Sequence, residues 1–221
     1  MRRPALRYQL VVFDWDGTLM DSTAGIAESI RNAARDLGLP VPAREVASHV
    51  IGLGLRDSLR SAVPALPEHR YAEFVDAYRR HFAMEQQRME LFPGVRELLE
   101  ELRGGGRLLA VATGKSRRGL DQALAATDLA RYFAASRCAD ETTPKPDPAM
   151  LLELLEELAA APGGALMVGD TSHDLEMARG AGVDAVAVSY GAHAEHALRT
   201  LAPRACVASI AELRAWLTTY G

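Results

Sequence analysis

Two acids separated by one residue, Asp14 and Asp16, follow directly on the apolar run Leu10-Val11-Val12-Phe13, and Gly17-Thr18 then turns the chain. A run of this kind reads as a buried strand ended by glycine. Carboxylates at the mouth of a buried strand lose hydration and repel one another, so the arrangement is expected where a cation or a chemical task offsets that cost. Further polar residues stand at comparable points: Thr113 at the close of 107–113, Lys145 between two prolines, and Asp170 with Asp174 after Ala165-Leu166-Met167-Val168. Clustered carboxylates suit a hard divalent cation, and Mg2+ takes one or two of them together with water and phosphate oxygen. An ammonium, a hydroxyl and the backbone N–H groups of helix starts near Gly114 and Ser116 suit a phosphate. The chemistry implied is phosphoryl transfer. One aspartate attacks phosphorus to give an aspartyl phosphate, and the aspartate two residues on protonates the leaving oxygen and later activates water.

Residues so far apart in sequence need strand ends on one edge to bring them together. After the acidic pair, Asp21 or Ser22 can cap a helix with Ile26, Ile30, Ala33 and Leu37 on one face, closed by Gly38 and Pro40. Short helical pieces around Ile51-Gly52-Leu53-Gly54-Leu55-Arg56 follow, then a longer helix marked by Tyr71, Phe74, Val75, Tyr78 and Phe82; no strand is readable between Leu19 and Leu91. Beyond that point helix and strand alternate. A helix on Val95, Leu98, Leu99 and Leu102 is stopped by Gly104-Gly105-Gly106, a strand covers 107–113, Ser116 caps a helix, and a weaker strand covers 133–137. Asp147 and Pro148 read as cap and first residue of the next helix; strands at 165–168 and 184–189 flank a helix ending near Ala181, and a helix on Ile210, Leu213 and Leu217 closes the chain. Continuous apolar strands alternating with helices predict an α/β fold with a parallel sheet covered on both faces, in which ligands gather beyond the carboxyl ends of the strands.

The 221 residues, 48% of them hydrophobic, suffice for a large core, and the formal net charge of -4 gives no field favouring nucleic acid or an anionic membrane. Cys138 and Cys206 have no metal-ligand spacing and read as reduced, buried filler. The basic start Met1-Arg2-Arg3 precedes too short an apolar run for a secretory signal, and no stretch approaches the ~20 apolar residues that span a bilayer. A cytoplasmic protein is expected, acting on a small molecule with no nucleic acid or membrane partner, as a monomer or homodimer.

Asp14-Trp15-Asp16-Gly17-Thr18, Thr113-Gly114-Lys115, Lys145-Pro146-Asp147-Pro148 and Gly169-Asp170-Thr171-Ser172-His173-Asp174 resemble, in this order, the four motifs of the haloacid dehalogenase superfamily. The resemblance runs over nearly the whole chain and is closest to the phosphoglycolate phosphatase-like group. It implies a Rossmann-like core from residues 1–21 and 88–221, an inserted all-helical cap from 22–87, and Mg2+-dependent hydrolysis of a small phosphate ester. Asp14 would be nucleophile and Mg2+ ligand, and Asp16 general acid/base and metal ligand through its backbone carbonyl. Thr113, Gly114 and Lys145 would hold the phosphoryl group, Asp170 would bind Mg2+, and Asp174 would bind the metal or orient Lys145. Members that remove halide carry another residue at the position of Asp16, and the sugar phosphomutases carry His where Ile26 stands, so neither activity is expected. Trp15 is bulkier than the residue usual between the two acids.

Structural readings stand beside these. Thr171-Ser172-His173-Asp174 also spells a helix capping box, Thr113 could be an ordinary strand end and Lys145 a solvated loop charge. Arg56, in the Gly-rich loop, could meet a substrate carboxylate or second phosphate, or be plain surface, and Lys115 is similar. His173 could face the site, whereas His49, His69, His81, His193 and His196 have no ligand spacing and read as surface or local hydrogen-bonding residues. Two rival functions remain: cleavage of pyrophosphate or a nucleotide on the same fold, and a non-catalytic phosphate- or protein-binding module, against which the filled catalytic positions argue.

Overall fold

The computed structural model describes residues 7–221, so Met1-Arg2-Arg3 lies outside the described residues. Strand β1 (Leu10–Phe13) leads into four helices, α1 (Thr23–Asp36), α2 (Arg44–His49), α3 (Leu55–Ala62) and α4 (Tyr71–Gln86). Alternation then follows through α5 (Val95–Gly104), β2 (Leu108–Thr113), α6 (Arg117–Thr127), β3 (Ala135–Cys138), α7 (Ala149–Glu157), β4 (Ala165–Gly169), α8 (Ser172–Gly180), β5 (Asp184–Val188), α9 (Glu195–Arg199), β6 (Ala205–Val207) and α10 (Ile210–Tyr220). Among the described residues all five strand pairings are parallel, in the spatial order β3-β2-β1-β4-β5-β6.

The two-residue period of a strand decides how the sheet is covered. Val11, Phe13, Leu109, Val111, Leu166 and Val168 face one side, where they pack with Leu98 and Leu99 of α5, Leu120 of α6 and Leu213 of α10. Their neighbours Leu10, Val12, Ala110, Ala112, Ala165 and Met167 face the other, against Leu151 and Leu154 of α7, Met177 of α8 and Leu198 of α9. Burial on both faces explains why the strands read as unbroken apolar runs. Helices α1 to α4 close a third apolar cluster of their own around Ile30, Leu59 and Phe74, in which Ile26 is also buried.

Several expectations shift in detail. The 133–137 strand moves to Ala135–Cys138, and α7 starts one residue late, with Pro148 at its cap, although Asp147 Oδ1 still accepts the Ala149 N–H at 2.9 Å. Ser22 precedes α1 without capping it, because its hydroxyl is given to Asp16. Helix α9 and strand β6 were not legible: five and three residues respectively are too short to show a period. Cys138 is buried as expected, but Cys206, on β6 at the sheet edge, is half-buried. No helix among the described residues is long and apolar enough to cross a membrane.

Candidate active site

The strand order reverses at β1, whose two neighbours are β2 and β4, and such a switch point opens a crevice beyond the strand ends. Phe13 is in register with Val111 and Val168, so Asp14, Thr113 and Asp170 emerge together; the Asp14 N–H donates to the Val168 carbonyl at 2.9 Å. Lys145, from the loop between β3 and α7, reaches the same point. Its Nζ donates to Asp14 Oδ1 at 2.7 Å and to Asp174 Oδ1 at 2.6 Å, and all three side chains are buried. Asp174 divides its oxygens between two tasks. Oδ1 holds Lys145, while Oδ2 accepts from the Thr171 hydroxyl at 2.6 Å and the Thr171 N–H at 3.0 Å, completing the capping box of α8.

Asp170 accepts from Thr18 Oγ1 at 3.0 Å and, at Oδ2, from the Ala192 N–H at 2.7 Å. Gly17 turns the chain here at φ +84°, and any Cβ at this position would collide with the Asp170 carboxylate. Carboxylate oxygens of Asp14, Asp170 and Asp174 lie within 4.8 Å of one another. Asp14 Oδ2 is buried and has no hydrogen-bond partner, a state that calls for explanation in a packed interior. A hard divalent cation fits this set: oxygen donors, negative charge in excess of the Lys145 ammonium, and one unpartnered carboxylate oxygen.

Burial pushes the Asp14 carboxyl up from 3.8 to about 7, with the Asp174 and Asp16 charges adding to it and Lys145 opposing. Burial, then the charges of Asp14 and Asp174, likewise raise Asp170, against the Ala192 and Thr18 donors. Lys145 is raised although burial alone would lower it, because the charges of Asp14 and Asp174 outweigh desolvation. An acid raised on folding stabilises the metal-free protein fully below its ordinary value of 3.8 and loses that contribution as pH rises through about 7. A bound cation requires the ionised carboxylates and so displaces protons in acid. MgCl2 is therefore expected to raise the melting temperature more at about pH 8 than at about pH 5. Scanning fluorimetry at both pH values measures this, and an equal or smaller shift at the higher pH would count against the carboxylates as a cation site.

Asp16 Oδ1 accepts the Ser22 hydroxyl at 2.6 Å, and its Oδ2 pairs with Lys115 Nζ at 2.9 Å. Thr113 is buried, its hydroxyl accepting the Lys115 N–H at 3.2 Å. A Cβ on Gly114 would lie 2.5 Å from the Gly52 carbonyl and 2.6 Å from that of Leu53, so the loop after α2 rests on the strand-end loop only because residue 114 has no side chain. That loop is itself fixed. The carbonyl of His49 at the end of α2 accepts from Nε2 of His173 and of His193, each at 3.0 Å. His193 Nδ1 accepts the Ser172 N–H at 3.0 Å, and burial lowers this imidazole to about 4, so it is neutral with its proton on Nε2. The His49 and His193 rings also stack, with centroids 4.5 Å apart, and His173 meets both edge-on. His173 thus faces the α2 end rather than the carboxylates, and no spacing in the sequence pointed to this cluster.

Arg56 stands apart from the carboxylate group. Its guanidinium pairs with Glu68 at 2.5 Å, lies over the Tyr71 ring and is 59% exposed. With Gly54, Gly114, Ser116 and Pro144 it lines a cavity of about 240 Å³ that none of Asp14, Asp16, Lys145 or Asp170 borders.

A model of the haloacid dehalogenase-like hydrolase family matches residues 11–188. A "Probable phosphatase IndB" of Dickeya dadantii is 38% identical over 210 residues, covering 92% of this chain and 91% of its own. A 5'-nucleotidase of Pseudomonas aeruginosa is 34% identical over 230 residues, with 100% of both chains covered. The solved structure titled "predicted phosphoglycolate phosphatase" from Haemophilus somnus overlays with a TM-score of 0.80 at 27% identity, covering 94% of this chain and 96% of that one. The ordered strand-end residues, the helical layer after β1 and these matches agree, and the chain belongs to the haloacid dehalogenase-like hydrolases as one of their phosphatases.

Proposed function

We propose that the protein is a Mg2+-dependent phosphatase that hydrolyses a small phosphorylated metabolite, phosphoglycolate-like in size, through an aspartyl phosphate on Asp14. The observation that carries this reading is the state of Asp14, one oxygen fixed by Lys145 and the other buried without a partner at the switch point of the sheet. In the first step an Asp14 oxygen forms a bond to phosphorus as the ester P–O bond breaks, and Asp16 gives the leaving oxygen its proton. In the second, Asp16 takes a proton from water, which attacks phosphorus and frees Asp14 with release of phosphate. Thr113, the Gly114 N–H and Lys145 bind the phosphoryl oxygens, and Asp174 holds Lys145 in place. Asp14, Asp170 and the Asp16 carbonyl would hold Mg2+, which when bound supplies positive charge between carboxylate and phosphate.

In this reading residues 22–87 form the cap and residues 1–21 with 88–221 the catalytic core. The cap's Gly52-Leu53 segment, resting on Gly114, excludes water from the phosphoryl site. Arg56 lies outside the carboxylate group and takes no part in the bond-making steps; as a residue on the cavity that Gly114 and Ser116 also line, it is a candidate for contacting the rest of the substrate. The end-to-end 5'-nucleotidase relative supports a second reading in which the leaving group is a nucleoside. Phosphate release from 2-phosphoglycolate, 5'-AMP, pyrophosphate and p-nitrophenyl phosphate, with and without Mg2+, tests both. Faster Mg2+-dependent turnover of the small ester is expected; preference for 5'-AMP would favour the nucleotidase, and no release from any of them would overturn the phosphatase reading.

A further inference from the structure

The segment between β5 and α9 touches Asp170 on one side and the helical layer of α1 to α4 on the other. Toward Asp170, the Ala192 N–H donates to Oδ2 at 2.7 Å and the His193 N–H to the backbone carbonyl at 3.3 Å. A Cβ on Gly191 would lie 2.2 Å from Asp170 Oδ2, so the chain lies against the carboxylate with no room for a side chain. Toward the layer, Ala192 packs against the apolar cluster of α1 to α4, and His193 Nε2 donates to the His49 carbonyl at the end of α2. His173, between Asp170 and Asp174 in sequence, donates to that same carbonyl, and both imidazoles are buried. One carbonyl of the helical layer thus accepts from both segments that hold Asp170, using its two lone pairs. His193 is anchored at its other nitrogen as well, since Nδ1 accepts the Ser172 N–H at 3.0 Å.

We infer that His193 is a positioning residue that ties Asp170 to the helical layer, so that Mg2+ binding and docking of the layer over the site favour one another. The inference rests on the cation site proposed above and adds the group that couples it to the layer. The physical link is the shared segment. While the His49 carbonyl is in place, His193 holds residues 191–193 against Asp170, and the Ala192 N–H keeps the carboxylate in one orientation. When the layer withdraws, His193 Nε2 and the Ala192 methyl lose their partners together, the segment relaxes, and Asp170 Oδ2 loses the order of its donor. Outer-shell partners of a ligand change metal affinity by about ten- to a hundredfold, and a residue acting one step further out has a smaller share. Linkage makes the effect mutual: the factor that docking adds to Mg2+ affinity is the factor that bound Mg2+ adds to docking. The carboxylate is then fully ordered only where the layer also excludes water.

Two amides, each reproducing half of the imidazole, separate the link to His49 from the local anchor on Ser172. Asparagine sets its side-chain oxygen near the position of Nδ1 and keeps the Ser172 contact, whereas glutamine sets its amide N–H near the position of Nε2 and keeps the His49 contact. MgCl2 is titrated into the wild type, His193→Asn and His193→Gln at about pH 8, where the carboxylates are ionised. Calorimetry gives the Mg2+ affinity, and hydrogen exchange across residues 48–55, with and without Mg2+, gives docking of the layer. His193→Asn is expected to weaken Mg2+ binding about three- to tenfold and to lose, by a similar factor, the slowing of exchange that Mg2+ brings to the wild type. His193→Gln should keep most of both. A His193→Asn protein that melts lower but keeps wild-type Mg2+ affinity and wild-type Mg2+ dependence of exchange makes His193 a mere support of the fold and overturns the inference. Equal losses in the two variants overturn it too, because the effect then does not run through His49. Should His193→Asn fail to fold, the wild type decides: Mg2+ must slow exchange across 48–55, and no slowing overturns the inference. A wild type that takes up no Mg2+ overturns the cation site and the inference with it.

Discussion

Asp14→Asn is expected to lower phosphate release by at least about 10⁴-fold while leaving the protein folded and as stable as before or more so. The loss follows from chemistry: an amide oxygen is too weak a nucleophile to attack phosphorus, and among the described residues the other carboxylates of the site, Asp16, Asp170 and Asp174, are held by their own donors. Stability should move the other way because Asp14 carries unfavourable terms. Its carboxylate is buried, it repels Asp174, and it leaves Oδ2 unpartnered. An amide of the same shape relieves that repulsion and keeps an oxygen to accept from Lys145. The gain should be largest above about pH 7, where the parent carboxyl is ionised, and should vanish in acid, where it is protonated. Phosphate-release assays and thermal melts at two pH values measure both halves. Activity within about tenfold of the parent would sink the aspartyl-phosphate mechanism.

How much of this was legible in the sequence depended on whether a signal was local. Asp14, Thr113 and Asp170 each end an apolar run, so their place at a strand end followed from a few neighbours, and parallel strands carry such ends to one edge. The two readings offered for Asp174 proved compatible: its two oxygens let it close the capping box and hold Lys145 at once. What could not be read were partnerships made by packing one layer on another. The pairing of Lys115 with Asp16 under Phe82 joins three distant parts of the chain, as does the clasp of His49 by His173 and His193. The same holds for Arg56, whose Gly-rich loop suggested substrate contact: its pairing with Glu68 and its place over the Tyr71 ring, in the turn before α4 and its first residue, come from packing and could not be read.

Lys145→Met should be the most destabilising single change in the site, costing about 3–5 kcal/mol above pH 7. The side chain is fully buried and its ammonium is the only cation in contact with Asp14 or Asp174 among the described residues. Methionine fills the volume but leaves two buried carboxylates without their cation, and that penalty, rather than the strength of the lost pairs, sets the size of the effect. It also sets the pH dependence. Lys145 is what holds the Asp14 carboxyl down, so its removal raises that group further, and the variant recovers stability as pH falls and the carboxyls take up protons. Turnover should fall by about 10²–10³-fold through the loss of a preorganised cation at the phosphoryl group. Adding Asp14→Asn to Lys145→Met should then restore part of the lost stability, because the two substitutions act on one charge cluster and their effects cannot add. If denaturant melts above pH 7 show the double variant less stable than Lys145→Met by the full cost of a second, independent lesion, Lys145 does not act by neutralising Asp14, and the site's electrostatic design is not the one described.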